Sequence, residues 1–189
     1  MRTLLPRNAV RTTAKRSAVA LLAVAAVAGT TLATAGTASA ASYSCKTSSS
    51  GSYDDPSYSG PDSDNWEFDV KLCAKRSGGY IYTTATVYWD GPYSSGTNNN
   101  FTFNKARFRL QTKKSVSGTD PVVKYANYTG LEGALENSSA AGNGSYKTGT
   151  LKHKAGSGRY LADGYIQLDW SGDGKDYRAP ILFTASPTV

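Results

Sequence analysis

The chain has 189 residues, with 21 Lys and Arg against 14 Asp and Glu and a formal net charge of +7. Its first 40 residues hold five of the basic residues and none of the acidic ones, so residues 41–189 carry 16 − 14 = +2. The positive charge belongs mainly to the N-terminal segment, and it gives no ground for a nucleic-acid-binding function.

This N-terminal segment, residues 1–40, is predicted to be a secretory signal peptide. Its basic residues come first, an apolar run of Ala, Val and Leu covers 18–28, and Ala-Ser-Ala at 38–40 is a small-x-small cleavage site. The alternative, a membrane anchor, needs about 20 apolar residues, and this run is shorter. We therefore expect cleavage and a secreted, extracellular protein without a membrane span, in which residues 41–189 form a single domain.

Two cysteines, Cys45 and Cys73, are present in the sequence. In an oxidising compartment a single intrachain disulfide is the default state of such a pair. This bond would tie the start of the mature chain to its centre and stabilise the fold by roughly 3–4 kcal/mol in the chain-entropy description. The alternatives are two free thiols or a dimer linked through them.

Short runs of alternating or β-branched residues, separated by turn residues, predict strands along the mature chain. In order, the expected elements are a strand at 42–47, a polar surface loop at 48–65, a hairpin at 66–89, a loop at 93–100, and strands at 101–112, 121–129, 145–153, 159–170 and 178–185. Residues 131–138 could form one or two helical turns, although Gly133 disfavours them. The pattern indicates an all-β fold, an antiparallel β-sandwich of about seven or eight strands.

The hairpin is the clearest pattern in the sequence. Two alternating runs flank a Ser-Gly-Gly turn, and a period of two residues places one side of each strand in the core. The residues expected to be buried are Trp66, Phe68, Val70, Leu72 and Ala74 on the first strand and Ile81, Ala85, Val87 and Trp89 on the second.

Charge is distributed unevenly along the mature chain. Residues 41–70 hold six acids and one lysine, a net charge of 1 − 6 = −5, whereas residues 71–131 hold nine basic residues and two acids, a net charge of 9 − 2 = +7. We expect the acidic loop to fold back over the basic strands and neutralise them. Two separate ligand-binding patches are the alternative.

The sequence lacks the familiar catalytic motifs. It has a single histidine, His153, no Gly-x-Ser-x-Gly nucleophile motif, and too few cysteines and histidines for an ordinary structural zinc site. We therefore expect no enzymatic activity and no cofactor. A hydrolase that uses a carboxylate pair is an alternative, because Glu67 and Asp69 lie on one face of a predicted strand.

A calcium site is a further alternative near the end of the chain. Asp169, Asp173 and Asp176 could supply three of the oxygen ligands that calcium requires. The Gly-Asp-Gly sequence at 172–174 is equally typical of an ordinary turn. Our primary prediction is that the protein has no metal site.

Tyrosines are the most suggestive candidate binding residues. Tyr80, Tyr82 and Tyr88 fall on one face of the second hairpin strand, where they could form a platform for sugars or pack across strands. Three further tyrosines are predicted to lie in loops, where aromatic residues are often functional. These loop residues are Tyr53, Tyr58 and Tyr93.

A basic stripe is predicted on the wet face of the strand at 101–112. It consists of Lys105, Arg107 and Arg109, and it could contact an anionic partner such as a cell-wall polymer. The alternative is a solvated strand face whose charge also prevents edge-to-edge pairing.

These observations favour a secreted, non-catalytic binding module for polysaccharide or for another component of the cell envelope. The alternatives are an interaction protein, such as a secreted protease inhibitor or a structural envelope component that uses the loops at 48–65 and 93–100, and a hydrolase built on acidic residues. The expected partners are an extracellular polysaccharide, a cell-surface component or a secreted protein, and not nucleic acid.

Overall fold

The computed structural model describes residues 41–55, 57–58, 65–92, 102–139 and 141–189, which belong to the compact unit Ser39–Val189. The predicted signal peptide and Tyr93 lie outside the described residues. Among the residues that the structure describes, no helix is both long and apolar enough to cross a bilayer.

The described part of the chain contains nine strands and one short helix. They are β1 (Ser44–Tyr53), β2 (Trp66–Ser77), β3 (Tyr80–Asp90), β4 (Phe103–Ser115), β5 (Val122–Tyr128), α1 (Gly130–Glu136), β6 (Asn143–Lys147), β7 (Leu151–Lys154), β8 (Arg159–Trp170) and β9 (Ile181–Leu182). All strand pairs are antiparallel and form two sheets. The first sheet has the order β1-β2-β3-β6, with β7 also paired to β3, and the second has the order β5-β4-β8-β9. The predicted all-β class is confirmed.

The predicted hairpin is present as β2 and β3. Ser77 pairs with Tyr80, so the connection is a two-residue turn formed by Gly78 and Gly79. Both glycines have positive φ, 55° and 77°, which is the conformation that a tight hairpin turn needs and that glycine adopts without a steric penalty. The turn therefore sets the register that places the alternating side chains of both strands.

The first strand is longer than the sequence predicts. Instead of ending near 47, β1 continues to Tyr53, and a bulge between Ser49 and Ser52 separates two stretches that pair with β2. The prediction of a loop from 48 onward was wrong for these residues because β1 is the edge of its sheet. An edge strand needs main-chain pairing but few buried side chains, so a run of serines can form one.

Cys45 and Cys73 form the predicted disulfide. They lie directly opposite each other on β1 and β2, and their Cα atoms are 4.1 Å apart. The bond therefore fastens the edge strand to the hairpin.

The strand predicted at 145–153 is divided into β6 and β7, which both pair with β3. Thr148 lies at the division, where its Oγ1 accepts a hydrogen bond from the backbone N–H of Ala85 at 2.9 Å. The N–H of Thr148 donates to the carbonyl oxygen of Ala85 at 3.0 Å. These bonds satisfy the backbone of β3 where regular pairing stops. Sequence periodicity does not predict that a side-chain oxygen replaces a backbone acceptor at this point.

Side chains from both sheets form one buried cluster. The inward residues predicted for the hairpin are all buried, and all except Ile81 share this cluster with Phe108, Leu110 and Ile166 from the second sheet. Thr83 on β3 and Thr112 on β4 join the two sheets through a buried hydrogen bond of 2.8 Å. The helix α1 packs against β4 and β6 and buries Leu131 and Leu135.

Candidate functional site

The outward face of the first sheet carries the predicted tyrosine row. Tyr80, Tyr82 and Tyr88 alternate with the inward residues of β3, as the period of two requires. The structure brings Tyr80 and Tyr82 together, with ring centroids 6.5 Å apart. Tyr88 lies six residues along the strand from Tyr82, about 20 Å away at the usual rise of a strand. The row is therefore divided into two separate groups.

Lysine side chains occupy the surroundings of the first group. The Nζ of Lys152 lies 4.0 Å from the centroid of the Tyr80 ring, and the Nζ of Lys75 lies 5.4 Å from that of Tyr82. Both tyrosines are half-buried. Their ring faces already have cationic partners, which leaves less surface for a ligand to stack on.

The second group surrounds Tyr88, whose exposed fraction is 44%. Beside it lies an open cavity of about 420 Å³. The residues that line this cavity are Glu67, Asp69, Tyr88, Trp89, Asp90, Asn143 and Gly144. Three adjacent strands build it, because Asp69 pairs with Tyr88, Glu67 with Asp90, and Asp90 with Asn143. We call this set of residues the Tyr88 cavity.

The polar groups of the Tyr88 cavity are positioned by their neighbours. Ser49 donates a hydrogen bond of 3.1 Å from its Oγ to Oε1 of Glu67. With its amide oriented to satisfy its surroundings, Asn143 donates to Oδ1 of Asp90 at 2.5 Å. The remaining carboxylate oxygens can accept hydrogen bonds from a ligand, while the ring of Tyr88 offers a flat apolar surface.

Gly144 is required for the packing behind this cavity. It lies opposite Trp89, and a Cβ at this position would overlap the indole ring. The indole is held by a hydrogen bond of 2.7 Å from its Nε1 to the Oγ of Ser138. The close approach of β6 to Trp89 therefore fixes the strand that carries Asn143.

The basic stripe lies on the outward face of the second sheet. Lys105 is neutralised there, because its Nζ lies 3.3 Å from carboxylate oxygens of both Asp169 and Asp176. These hydrogen bonds, that of Asp176 first, raise the pKa of Lys105. A backbone hydrogen bond from Tyr177 and then the bond from Lys105 lower the pKa of Asp176.

The two arginines of the stripe have other neighbours. Arg107 donates from Nε and Nη2 to Oε1 of Gln167, at 3.1 and 2.8 Å, and its Cζ lies 4.1 Å from the centroid of the Tyr177 ring. The Cζ of Arg109 lies 3.8 Å from the centroid of Tyr125 and 6.0 Å from that of Tyr165. The predicted stripe is therefore formed, but its three members differ in how their charge is compensated.

The carboxylates of the calcium alternative point to cations of the protein. Asp169 and Asp176 bind Lys105, and Oδ2 of Asp173 lies 2.9 Å from Nη2 of Arg178. Within the described ranges, no three His, Cys, Asp or Glu side chains are grouped as metal ligands would be. The observed partners favour the ordinary turn over a calcium loop.

The described loop tyrosines pack inward. Tyr53 ends β1, Tyr58 lies 4.9 Å from Trp170 between ring centroids, and both are half-buried against the core. Nearby, Nε of Arg178 lies 3.0 Å from Oδ2 of Asp55. The described part of the acidic loop thus contacts Arg178 in the segment after β8. Asp62 and Asp64 lie outside the described residues, and the expected neutralisation of the basic strands stays a prediction.

Sequence reasoning missed half of the Tyr88 cavity and all aromatic neighbours of the arginines. Asp90 and Asn143 lie just outside the strands predicted at 66–89 and 145–153, and their meeting depends on the pairing of β3 with a strand about 50 residues away. The stacking partners Tyr125, Tyr165 and Tyr177 come from three separate segments. Only strand order and register reveal these neighbours.

No protein-family model, no curated protein and no solved structure matches this chain. The functional argument therefore depends on the geometry of its surfaces.

Proposed function

We propose that this protein is a secreted, non-catalytic β-sandwich that binds an extracellular polysaccharide at the Tyr88 cavity. The observation that carries the proposal is an exposed tyrosine ring beside a cavity lined with carboxylates and an amide. Sugars present an apolar face of C–H groups and a rim of hydroxyls. A tyrosine ring can stack on that face, while Asp69, Asp90 and Asn143 bind the hydroxyls.

The architecture supports a rigid binding module. The inward faces of the two antiparallel sheets share one core cluster, as they would in a β-sandwich. The disulfide between Cys45 and Cys73 is compatible with an oxidising, extracellular location, and the leader-like sequence at 1–40 supports export. A site on paired strands is held more precisely than one on loops.

The test is retention of the mature protein, residues 41–189, on insoluble chitin, cellulose and bacterial cell wall. We expect retention on at least one of them and a loss of affinity of about tenfold, equivalent to about 1.4 kcal/mol, for Tyr88→Ala and for Asp69→Asn. The matched control is Val122→Ala, which truncates a similarly exposed apolar side chain (42%) on the other sheet, outside both proposed sites. Retention that is unaffected by Tyr88→Ala, or absent on all three polymers, would contradict the proposal.

A hydrolase is the second candidate, because Glu67 and Asp69 line the same cavity. On one strand face their carboxylates are about 7 Å apart, which is within the range used by two-carboxylate glycosidases. Release of reducing ends during the retention assay, abolished by Glu67→Gln, would favour this candidate over simple binding. If neither binding nor cleavage occurs, the interaction-protein alternative becomes the leading one.

A further inference from the structure

We propose that Arg107 and Arg109 form a second site, which binds phosphate groups carried along a linear anionic polymer. The site lies on the outward face of the second sheet, whereas the Tyr88 cavity lies on that of the first. The inference is therefore independent of the proposed polysaccharide site. It concerns a ligand of different chemistry.

Neither arginine has a carboxylate within ion-pair distance among the described residues, although the charge of Arg107 acts on the more distant Asp176. Among the ion pairs between described residues, none involves Arg107 or Arg109, whereas Lys105 on the same strand has two carboxylate partners. The hydrogen-bond partner of Arg107 is the neutral amide of Gln167. Two adjacent, half-buried guanidinium groups thus retain attraction for an anion.

Tyrosine rings hold both guanidinium groups in place. Tyr177 lies against Arg107, and Tyr125 against Arg109, with Cζ-to-centroid distances of 4.1 and 3.8 Å. The Nε of Arg109 is buried and has no hydrogen-bond partner in the described part of the chain. Because the side chains are already ordered, binding an anion costs less conformational entropy than it would for free arginines.

The strand repeat sets the spacing of the site. Residues two apart on β4 lie about 7 Å apart on the same face, so the site presents two cationic groups in a row on a flat sheet. An extended polymer with recurring anionic groups can meet both arginines at once. A polymer whose anionic groups recur along the strand gains further contacts without a further loss of translational entropy, and we therefore assign a polymer as the ligand.

The positions of the tyrosines favour phosphate over carboxylate. A guanidinium donates in its own plane, while the hydroxyl of a tyrosine stacked on it lies outside that plane. The oxygens of a phosphate group are arranged tetrahedrally and can accept from both directions. The lone pairs of a carboxylate all lie in one plane, so a carboxylate that binds the guanidinium edge directs no lone pair toward a donor outside that plane.

The experiment measures binding of long-chain inorganic polyphosphate to the purified protein over a series of salt concentrations. We expect Arg107→Gln with Arg109→Gln to weaken binding at least about tenfold and to reduce the slope of log affinity against log salt by about one per arginine. The matched control, Lys46→Gln with Lys154→Gln, removes the same charge from exposed positions on the first sheet and should change affinity less than about twofold. Tyr88→Ala should leave polyphosphate binding unchanged.

A conservative pair separates a built site from general electrostatics. Arg107→Lys with Arg109→Lys keeps the charge but loses the planar fork and its stacking, and it should weaken binding at least about threefold. Wild-type affinity in this variant, wild-type affinity in the glutamine variant, or no polyphosphate binding at all would overturn the proposal. Equal binding of polygalacturonate, a carboxylate polymer, would overturn the assignment to phosphate. Thermal unfolding checks that each variant remains folded.

Discussion

The outward faces of the two sheets both carry tyrosines, cationic side chains and carboxylates, but these groups are paired differently on each face. On the first sheet, lysines lie against Tyr80 and Tyr82, while the carboxylates around Tyr88 face an open cavity. On the second sheet, tyrosines lie against the arginines, and the carboxylates bind lysine and one other arginine. Composition alone would make the two faces alike. Which charge is left uncompensated depends on the pairing of the strands.

The two sheets also differ in the interactions that stabilise them. The first sheet is fastened covalently, because the disulfide joins β1 to β2. In the second sheet, Lys113 and Asp163 form an ion pair between β4 and β8. In the segment after β8, Arg178 binds Asp173 of the same segment and also Asp55, which follows β1. Stability should therefore respond to reductant through the first sheet and to pH through the second. Two measurements test this difference, and a third tests the contact between the sheets.

The largest effect is expected from the disulfide. Replacing both Cys45 and Cys73 with Ser should lower the free energy of unfolding by about 3–4 kcal/mol, because the bond closes a loop with a sequence separation of 28. The midpoint of thermal unfolding should fall by about 10 °C. Reductant should lower the midpoint of the wild-type protein and leave that of the variant unchanged. A loss below about 1 kcal/mol would show that the unfolded chain gains little freedom without the bond.

A smaller, pH-dependent effect is expected at Asp55. Burial raises the pKa of this carboxyl, but hydrogen bonds from Ser57 and the charges of Arg178 and Lys175 outweigh it and lower the pKa below 3.8. A depressed pKa stabilises the folded state above pH 3.8, and the contribution is lost as pH falls through the folded value. Asp55→Asn should therefore cost about 2 kcal/mol at pH 7.

Denaturant unfolding of the wild type and of Asp55→Asn between pH 7 and pH 2 measures this contribution. The difference between them should shrink as the wild-type carboxyl is protonated. Asp54→Asn is a suitable control, because Asp54 is adjacent to Asp55 in the chain but is exposed. A difference that stays constant with pH would assign the loss to packing and not to charge.

The smallest effect is expected where the two sheets meet. Thr83→Val leaves the buried hydroxyl of Thr112 without its partner and should cost about 1–2 kcal/mol. Thr83→Val together with Thr112→Val removes both hydroxyls and should be nearly neutral relative to the wild type. Denaturant unfolding of the two single variants and the double variant measures the coupling. Additive losses would mean that the hydrogen bond does not contribute as a unit.

Local patterns were sufficient to predict the hairpin but not the edge of its sheet. The alternation from Trp66 to Ala74 identifies buried positions directly, and two glycines in succession identify the turn. β1 carries no such alternation, because its serines bind the neighbouring strand through the backbone and not through burial. The division between β6 and β7 at Thr148 could not be predicted from the sequence either, since the side chain of Thr148 replaces a backbone acceptor for the N–H of Ala85.

The candidate sites were predictable only as fragments. The position of Tyr88 on the wet face of β3 follows from a period of two residues, and so does the alignment of Arg107 with Arg109. Their partners Asn143 and Tyr177 come from distant segments, and no local rule determines which strand lies beside which. The decisive information was therefore register, which a single sequence does not contain.

The bulge in β1 has a consequence for how the molecule behaves at high concentration. β1 is the outer strand of its sheet, and a regular outer strand offers a row of backbone groups on which strands of other molecules can add to build fibrils. Here the irregularity between Ser49 and Ser52 interrupts that row. The Oγ of Ser49 also accepts a hydrogen bond from the N–H of Gly51, and the Oγ of Ser50 accepts one from the N–H of Phe68 on β2. We therefore expect this edge to add strands of other molecules less readily than a regular outer strand would.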